Sequence, residues 1–538
     1  MDSAVANIKE ISIIFENNTI TYEQLENRIS ICMEELEKRK LENGVIGVMM
    51  SRTPVYIYWI MAILASGYAF VPINPQDAEE KRNYVITHSN MDYCITDNDC
   101  KNIDWDKNVK TKMSLENILD NEDKMAYIMF TSGTTGFPKG VMISRKSLNS
   151  FTKIFLNGEI IRGNLILANT TFTFDISLLE IILSLKRGAT IFLTSDNEQK
   201  NPRSLVNILK KNRFDWAQFT PSYLNMLIGC AHSLEIFKNV KNIIIGGERI
   251  TNALANLLKE KTQCRLFNAY GPTEATIWTH VGDLRDSFVN VGKPIECVEE
   301  LILDSDGNNS DKGVLWLGGD TISQGYYNDN VLTAKKFKLR NGRIIYETGD
   351  IACKKDGKLI ILGRNDYQVK ISGKRIELEE IECKIVENLG LSQCVVLYKE
   401  GDLVLCVDDK TLKIEELRKQ MLNKIEAVFL PRKIFCLGKY PLMSNGKIDR
   451  KKVEDIYMKH CNTRTKEKVL ELIREFVVVD FDLESNFEDL GISSIEYIGL
   501  IVKLEKAFNI EFDDQTLMPN HFIKVEDLAN YIQDRLEQ

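Results

Sequence analysis

A loop rich in threonine, serine and glycine is the part of this sequence best suited to chemistry. It follows an apolar run that begins at Tyr127, and its candidate ligands are Thr131, Ser132, Gly133, Thr134, Thr135 and Lys139. Small residues let backbone N–H groups approach phosphate oxygens, hydroxyls donate further hydrogen bonds, and Lys139 adds a positive charge. No Gly-Lys-Ser/Thr follows, so this is not a Walker A loop. The pattern predicts a phosphate-binding loop, and an ordinary glycine-rich turn is the alternative.

The loop, with Pro138-Lys139-Gly140 at its end, resembles the phosphate-binding loop of adenylate-forming enzymes. These include acyl-CoA synthetases, luciferases and the adenylation domains of nonribosomal peptide synthetases. The resemblance covers about residues 10 to 455 and rests on six further motifs in order: Ile20–Leu25, Leu64–Asn74, Asn268–Glu274, Tyr346–Asp350, Gly363–Ile371 and Pro441–Asp449. It implies an α/β fold with a large N-terminal subdomain of β-sheets and helices and a small mobile α+β C-terminal subdomain.

The resemblance implies ATP and Mg²⁺ as cofactors, and the residue types suit them. Glu274 offers a hard carboxylate for Mg²⁺ that bridges ATP phosphates, and Tyr270 offers a flat face for adenine. The family pattern also assigns to ATP the residues Gly247, Asn268 (adenine edge), Asp350 (ribose hydroxyls) and Arg364 (ribose or phosphate). Without the family, Glu274 could be a surface glutamate and Tyr270 a core tyrosine. Asp350 could belong to a Thr-Gly-Asp turn, and Arg364 to a surface ion pair.

By resemblance, Lys447 is the catalytic lysine and Asp366 the hinge. When a carboxylate attacks the α-phosphorus of ATP and pyrophosphate leaves, negative charge gathers on the transferring phosphoryl, and a desolvated lysine stabilises it. The hinge implies that the C-terminal subdomain rotates to present either Lys447 or the strand and loop around Gly373, where a thiol attacks the adenylate. The alternatives are a turn lysine and a solvated loop aspartate.

Asp175 matches the family position that binds the α-ammonium of an amino acid, and a helix N-cap is its structural alternative. The other pocket positions match Ile176, Leu179, Gln218, Ile244, Gly246, Ala269, Ile277 and Trp278, with Lys447 on the substrate carboxylate. These side chains leave little space, so large substrates are rejected by steric clash. The set resembles that of glycine-activating domains, and the differences at Ile244 and Ala269 leave alanine open. Trp278 alone would be read as a core aromatic.

Residues Phe487 to Glu496 resemble the phosphopantetheine site of acyl and peptidyl carrier proteins, which implies 4′-phosphopantetheine on Ser494. Ser493 stands where Asp or His is more usual, so a shift of one residue is the alternative. Physically, Ser494 opens an apolar helix, whose positive end suits a phosphodiester. A plain N-cap serine is the other interpretation.

The segment around this site is acidic and helical in pattern. Residues 466–538 hold 7 Lys and Arg against 17 Asp and Glu, a charge that favours docking on basic surfaces. Apolar residues recur at helical spacing: Val469, Leu472, Ile473 and Phe476; Ile495, Ile498, Leu500 and Ile501; Leu528, Tyr531 and Ile532. We therefore expect a small four-helix-bundle carrier domain.

The composition fits this organisation. The chain has 538 residues, 44% of them hydrophobic, and a net charge of −8, which argues against disorder and against nucleic acid as the main partner. The 12 cysteines include no CxxC, so we expect neither a disulfide framework nor a cysteine zinc site. This cysteine usage suits the reducing cytoplasm, where we expect the protein to be located. We see no signal peptide at the start. The uncharged stretch Val55–Ile73 overlaps a family motif, so it predicts a buried helix and strand and not a membrane span.

The alternation of strand-like and helical segments predicts that α/β layers position these residues. Ile243–Ile245 and Leu359–Leu362 have strand character, and Pro202–Lys211 has helical character. The expected domains are an adenylation core over 1–364, a mobile C-terminal subdomain over 365–457, a linker over 458–465 and a carrier domain over 466–538.

The resemblance therefore implies an enzyme that adenylates an amino acid, glycine by the pocket pattern, and loads it onto its own carrier domain. The nearest alternative is a D-alanine or other small amino acid–carrier ligase. Asp175 and the fused carrier argue against an acyl-CoA synthetase, and Lys447 and Glu274 argue against a scaffold that only binds nucleotide. Expected partners are the amino acid, a phosphopantetheinyl transferase, and condensation or tailoring enzymes in trans, because the chain lacks a His-His pair and a Gly-x-Ser-x-Gly elbow.

Overall fold

The computed structural model divides the chain into two compact units, 1–377 and 378–538. The residues that it describes are 10–39, 41–109, 114–115, 118–119, 122–131, 138–158, 161–231, 233–304, 306–364, 368–371, 374–389, 391, 393–399, 401–408, 414–441, 448–477, 479, 481–508, 510–513, 516 and 521–537.

Strands and helices alternate through the first unit, as α/β layers require. The strands are β1 (Ile11–Phe15), β2 (Asn18–Thr21), β3 (Val45–Met49), β4 (Ala69–Pro72), β5 (Tyr93–Thr96), β6 (Met125–Thr131), β7 (Lys139–Ser144), β8 (Leu165–Ala168), β9 (Thr190–Leu193), β10 (Phe214–Phe219), β11 (Val240–Gly246), β12 (Arg265–Tyr270), β13 (His280–Asp283), β14 (Lys293–Pro294), β15 (Val298–Leu303), β16 (Lys312–Gly319), β17 (Phe337–Arg340), β18 (Arg343–Lys355), β19 (Lys358–Arg364), β20 (Gln368–Ile371) and β21 (Lys374–Glu377). The helices are α1 (Tyr22–Glu37), α2 (Pro54–Ala65), α3 (Glu79–His88), α4 (Arg145–Asn157), α5 (Ile176–Leu178), α6 (Ser184–Lys186), α7 (Asp196–Lys200), α8 (Pro202–Lys211), α9 (Pro221–Ala231), α10 (Asn252–Lys261) and α11 (Asn330–Lys336), with a π-helical turn over Leu179–Leu183.

Three larger sheets organise this unit. The first has nine strands in the order β14-β13-β12-β11-β10-β8-β9-β1-β2, and the second has five in the order β5-β3-β4-β6-β7. The third has β15, β16, β18 and β17 in that order, with β19 paired to β18. The inner pairs of the first sheet, from β12 across to β1, are parallel. Such sheets are covered on both faces, which explains their continuous apolar runs.

The largest apolar cluster is shared by the first two sheets and the helices α1 and α2. Ile244 belongs to this cluster, whereas its neighbours Ile243 and Ile245 belong to a second cluster on the opposite face of the sheet, with α8 to α10. This is the alternation expected of a strand. Val55–Ile73 forms α2 and β4, which confirms the predicted buried helix and strand. Within the described part of the chain, every helix is too short or too polar to cross a membrane.

The second unit has a three-stranded sheet and five helices among its described residues. Its strands are β22 (Val395–Lys399), β23 (Asp402–Val407) and β24 (Lys433–Cys436), and its helices are α12 (Leu378–Leu389), α13 (Ile414–Lys424), α14 (Arg450–Ile473), α15 (Ser494–Phe508) and α16 (Val525–Glu537). A 3₁₀ turn covers Phe487–Leu490.

Residues 458–465, which we predicted to be a linker, lie in the middle of the 24-residue helix α14. Half of its side chains are exposed, but Cys461 and Thr465 continue a line of buried or half-buried residues at every fourth position from Val453. Positions four apart lie on nearly the same side of a helix, so this line supports the helix through the predicted linker.

The carrier segment forms a helical core of its own. Val469, Ile473, Leu500 and Leu528 are buried in one apolar cluster, which agrees with the predicted bundle. Ile498, one of the apolar residues in the helical pattern, is 52% exposed. It lies on the outer side of α15 because the buried side is taken by Leu500, Ile501 and Leu504.

Candidate active site

The predicted phosphate-binding loop lies between two paired strands. Strands β6 and β7 pair antiparallel, and Thr131 and Lys139 are their last partners, so the loop between them leaves and returns at one point. Lys139 lies largely buried, with its ammonium 3.8 Å from the carboxylate of Glu274. Thr131 is half-buried. The structure thus brings the predicted phosphate lysine and the predicted metal ligand together.

Glu274 lies in the 3₁₀ turn Thr273–Ala275 and is fully buried. The hydroxyl of Tyr326 donates a hydrogen bond of 2.7 Å to its Oε1 atom. A buried carboxylate of this kind is costly unless it is paired, and an oxygen ligand suits Mg²⁺. Among the residues that the structure describes, no group of three His, Cys, Asp or Glu side chains is placed to hold a metal ion. A single carboxylate fits Mg²⁺, which usually takes one or two carboxylates together with phosphates and water.

Three predicted nucleotide residues also meet. The hydroxyl of Tyr270 donates a short hydrogen bond to Asp350, and Arg364 donates to the other carboxylate oxygen over 2.9 Å. Burial and the neighbouring carboxylate raise the pKa of the Tyr270 phenol, so it stays a donor. An aromatic face, a carboxylate and a guanidinium in contact are suited to a base, a ribose and a phosphate. Asn268 is buried and donates its side-chain amide to the Asn290 carbonyl.

The predicted amino acid pocket is assembled from neighbouring strands. Gln218 on β10 lies beside Ile244 on β11, and Gly246 lies beside Ala269 on β12. Side chains two apart on a strand share a face, so these four residues lie on one side of the sheet. The buried side chain of Leu179 comes from the π-helical turn, and the half-buried side chain of Ile176 opens α5.

Trp278 closes one side of this surface and is 1% exposed. Its indole N–H donates to Gln218 over 3.3 Å. A methyl group at Gly246 would lie 2.5 Å from the indole ring, so the aromatic ring occupies the space that a side chain would need there. Gly247 has φ +85°, a left-handed conformation that glycine adopts without a steric cost.

The turn before Trp278 is strained. Thr276 and Ile277 have φ values of +59° and +64°, which are rare for β-branched residues. Thr276 is held by a hydrogen bond from its hydroxyl to the Thr321 carbonyl, and a methyl group at Gly271 would come within 2.2 Å of the Ile277 carbonyl. The surrounding packing therefore imposes this turn, and such strain tends to cluster at functional sites.

Asp175 is buried at the position before α5, and its side chain makes no capping hydrogen bond there. The capping hydrogen bond of the structural alternative is therefore not formed, and the substrate role of Asp175 stays a prediction. The loop before it is held by Arg52, whose guanidinium donates to the carbonyls of Ala168, Thr170 and Thr194. Glu180 accepts from the backbone and hydroxyl of Thr170. Burial raises the pKa of Glu180 to about 7.

The carrier site lies where α15 begins, and Ser494 is the first residue of that helix. Ser493, immediately before it, accepts from the Glu496 backbone N–H over 3.3 Å, and its own hydroxyl donates to the Glu496 carboxylate over 2.7 Å. Ser493 thus caps the helix in a reciprocal pair with Glu496. These hydrogen bonds lower the pKa of the Glu496 carboxyl.

Several predicted residues lie outside the described part of the chain. They are Ser132, Gly133, Thr134, Thr135, Asp366 and Lys447. Their roles stay predictions.

Sequence reasoning missed Tyr326, Arg52 and Glu180. Tyr326 is 52 residues from Glu274, and Arg52 is more than 110 residues from the carbonyls that it holds. No local spacing links such pairs. A possible signal was that Arg52 begins an otherwise uncharged stretch that folds as a buried helix, where an arginine is rarely buried without partners.

Comparisons with known proteins identify two families in this chain. Residues 2–327 match the family described as AMP-binding enzyme, and residues 467–532 match the phosphopantetheine attachment site. The two families imply ATP with Mg²⁺ and 4′-phosphopantetheine as cofactors.

Among curated proteins, the chain is 29% identical to Gramicidin S synthase 2 of Brevibacillus brevis, over 97% of this chain and 13% of that protein. The chain thus spans less than a quarter of the length of the synthases that it matches first.

Two solved structures share the fold. A four-domain nonribosomal peptide synthetase bound to AMP and glycine is 27% identical over 97% of this chain and 41% of that one, with a TM-score of 0.60. The Vibrio cholerae adenylation domain AlmE, in complex with glycyl-adenosine-5′-phosphate, is 22% identical over 84% and 96%, with a TM-score of 0.70. The mixed α/β fold predicted from the sequence is confirmed.

Proposed function

Because this chain belongs to the AMP-binding enzyme family and also carries a phosphopantetheine attachment site, we propose that it activates an amino acid and loads it onto its own carrier domain. The amino acid reacts with Mg·ATP to give aminoacyl-AMP and pyrophosphate. The phosphopantetheine thiol then attacks the aminoacyl carbonyl, forming a thioester and releasing AMP. In this proposal, residues 1–364 are the adenylation core, 365–457 the mobile subdomain and 466–538 the carrier.

The substrate that we propose is glycine. The observation that carries this is the position of Trp278, whose ring covers Gly246 and whose N–H bonds Gln218, so that little room remains for a substrate side chain. Buried Asp175 supplies the carboxylate for an ammonium group. Two related structures, one bound to AMP and glycine and one to glycyl-adenosine-5′-phosphate, support the same choice. Alanine, including D-alanine, is the second candidate, because it adds only one methyl group.

Each residue of the site has a proposed task. Tyr270 packs against adenine, while Asp350 and Arg364 hold the ribose and the phosphate. Lys139 pairs with the ATP phosphates, and Glu274 is the protein ligand of Mg²⁺, which when bound neutralises phosphate charge. Lys447 stabilises the charge on the transferring phosphoryl group, and pyrophosphate leaves as the carboxylate bonds to phosphorus.

We propose Ser494 as the attachment residue. The neighbouring hydroxyl of Ser493 is engaged in capping, which favours Ser494 over the alternative by one residue. A phosphodiester at the first residue of α15 also lies at the positive end of the helix dipole. A phosphopantetheinyl transferase must act on this serine, and condensation or tailoring enzymes must receive the thioester in trans.

The experiment that tests the proposed function is amino-acid-dependent ATP–pyrophosphate exchange. It covers the twenty standard amino acids, D-alanine and β-alanine, with Lys447→Ala as the inactive control. We expect exchange with glycine to exceed that with every other amino acid. A larger signal with either alanine would replace the substrate and keep the reaction. A protein that binds ATP yet exchanges with none of them, or Lys447→Ala exchanging at the wild-type rate, would refute the assigned chemistry.

A further inference from the structure

Tyr326 connects the predicted metal ligand Glu274 to the paired strands β6 and β7, which flank the predicted phosphate-binding loop. It is 1% exposed, and its hydroxyl donates to Glu274. The backbone around it pairs with β7: the Met142 N–H donates to Gly325, and the Tyr327 N–H donates to Gly140. Tyr326 is therefore an extension of the sheet that carries Lys139.

The position of this tyrosine is fixed from three sides. Its backbone N–H donates to the hydroxyl of Thr333 over 2.9 Å, and its ring packs edge-on against Phe337. The ammonium of Lys139 lies 5.1 Å from the ring centre, a distance at which a cation is attracted to the aromatic face. A hydroxyl held in this way presents its proton to Glu274 at a set place.

The chemistry of ATP binding gives this contact a purpose. Lys139 and Glu274 lie together as a buried pair, and phosphates compete for the lysine. Once Lys139 is engaged by phosphate, a fully buried carboxylate needs another partner to stay in place. We propose that Tyr326 is a positioning residue that holds the Glu274 carboxylate for the metal of Mg·ATP. This inference rests on the proposed function, in which Glu274 ligates that metal.

The test is metal-dependent nucleotide binding by Tyr326→Phe, which keeps the ring and its packing and removes the hydroxyl. Binding of Mn²⁺·ATP is followed by the electron paramagnetic resonance signal of free Mn²⁺, and metal-free ATP binding by calorimetry in chelator. Loss of a hydrogen bond to a charged group predicts that Kd for Mn²⁺·ATP rises about tenfold or more. We expect Kd for metal-free ATP to change less than twofold. Tyr327→Phe is the matched control and should change neither.

A double substitution separates positioning from general disruption. If Tyr326 acts through Glu274, Tyr326→Phe has no further effect in a Glu274→Gln background. Equal weakening of ATP binding with and without metal would overturn the proposal, as would wild-type Mn²⁺·ATP binding by the single variant or additive losses in the double variant. Thermal midpoints of all variants are measured alongside. Because no amino acid is present, failure here is distinct from failure of the exchange assay.

Discussion

Replacing Trp278 with leucine is expected to shift the substrate preference from glycine towards larger amino acids. The indole ring fills the space above Gly246, where a methyl group would come within 2.5 Å. Leucine is smaller and leaves that space open. Each substrate methylene that is then buried contributes about 0.8 kcal/mol, or roughly fourfold in kcat/KM. If its side chain is fully buried, valine with three side-chain carbons should therefore gain roughly sixtyfold relative to glycine, and leucine with four should gain roughly two-hundredfold.

The same substitution carries a cost in stability. Removing a buried tryptophan ring costs up to about 3–5 kcal/mol when alanine replaces it, and a leucine recovers part of this. Gln218 also loses the indole N–H, which costs roughly 1–3 kcal/mol if no water replaces it. Thermal unfolding measures this loss, and ATP–pyrophosphate exchange with glycine, alanine, valine and leucine measures the preference.

Trp216 provides the matched control. It is also 1% exposed and lies on β10, two residues before Gln218, but it is not among the pocket positions. Trp216→Leu should destabilise the protein similarly and leave the ranking of amino acids unchanged. The reasoning is wrong if Trp278→Leu keeps the wild-type ranking, or if Trp216→Leu widens it equally.

Three further substitutions test other features. Ser493→Ala should destabilise the carrier helix by about 1 kcal/mol and still gain the mass of phosphopantetheine. Ser494→Ala should not gain this mass. The reverse pattern in intact mass spectrometry would place the attachment site on Ser493. Folding raises the pKa of Glu180 from about 4.5 to about 7, so the free energy of unfolding is highest below about pH 4.5 and falls by about 3 kcal/mol as the pH rises to 7. Glu180→Gln should remove this part of the pH dependence. Parallel plots of unfolding free energy against pH for the two proteins would contradict it. Gly246→Ala places a methyl group against Trp278 and should lower glycine-dependent exchange about tenfold or more, so an unchanged rate would argue against the packed pocket.

Local patterns predicted the elements well. Pro202–Lys211 is a helix with those bounds, because proline begins it and apolar residues recur on one face. The pocket residues were predicted from the family resemblance, and in the structure Gln218, Ile244 and Ala269 lie on neighbouring strands. Only the family resemblance said which strands are neighbours, since pairing depends on contacts far apart in the chain.

What the sequence did not predict depends on tertiary packing. The left-handed conformations of Thr276 and Ile277 contradict the local preference of β-branched residues and are imposed by their surroundings. The hydroxyl of Tyr326 reaches Glu274 only because its segment pairs with β7. The helix through the predicted linker 458–465 was not foreseen, because the polar composition of the segment hid the buried line through Cys461 and Thr465.

Helix α14 has a mechanical consequence. A step of four residues turns 40° past a full helical turn, so the buried line from Val453 to Ile473 winds about 200° around the axis. Val453 and Ile473 therefore point in nearly opposite directions, the first into the cluster with the three-stranded sheet and the second into the carrier core. The helix is about 36 Å long and joins these two apolar clusters, which pack on opposite sides of it. A rotation of the sheet end is therefore passed along a continuous hydrogen-bonded helix, which is stiffer than a flexible tether of the same length.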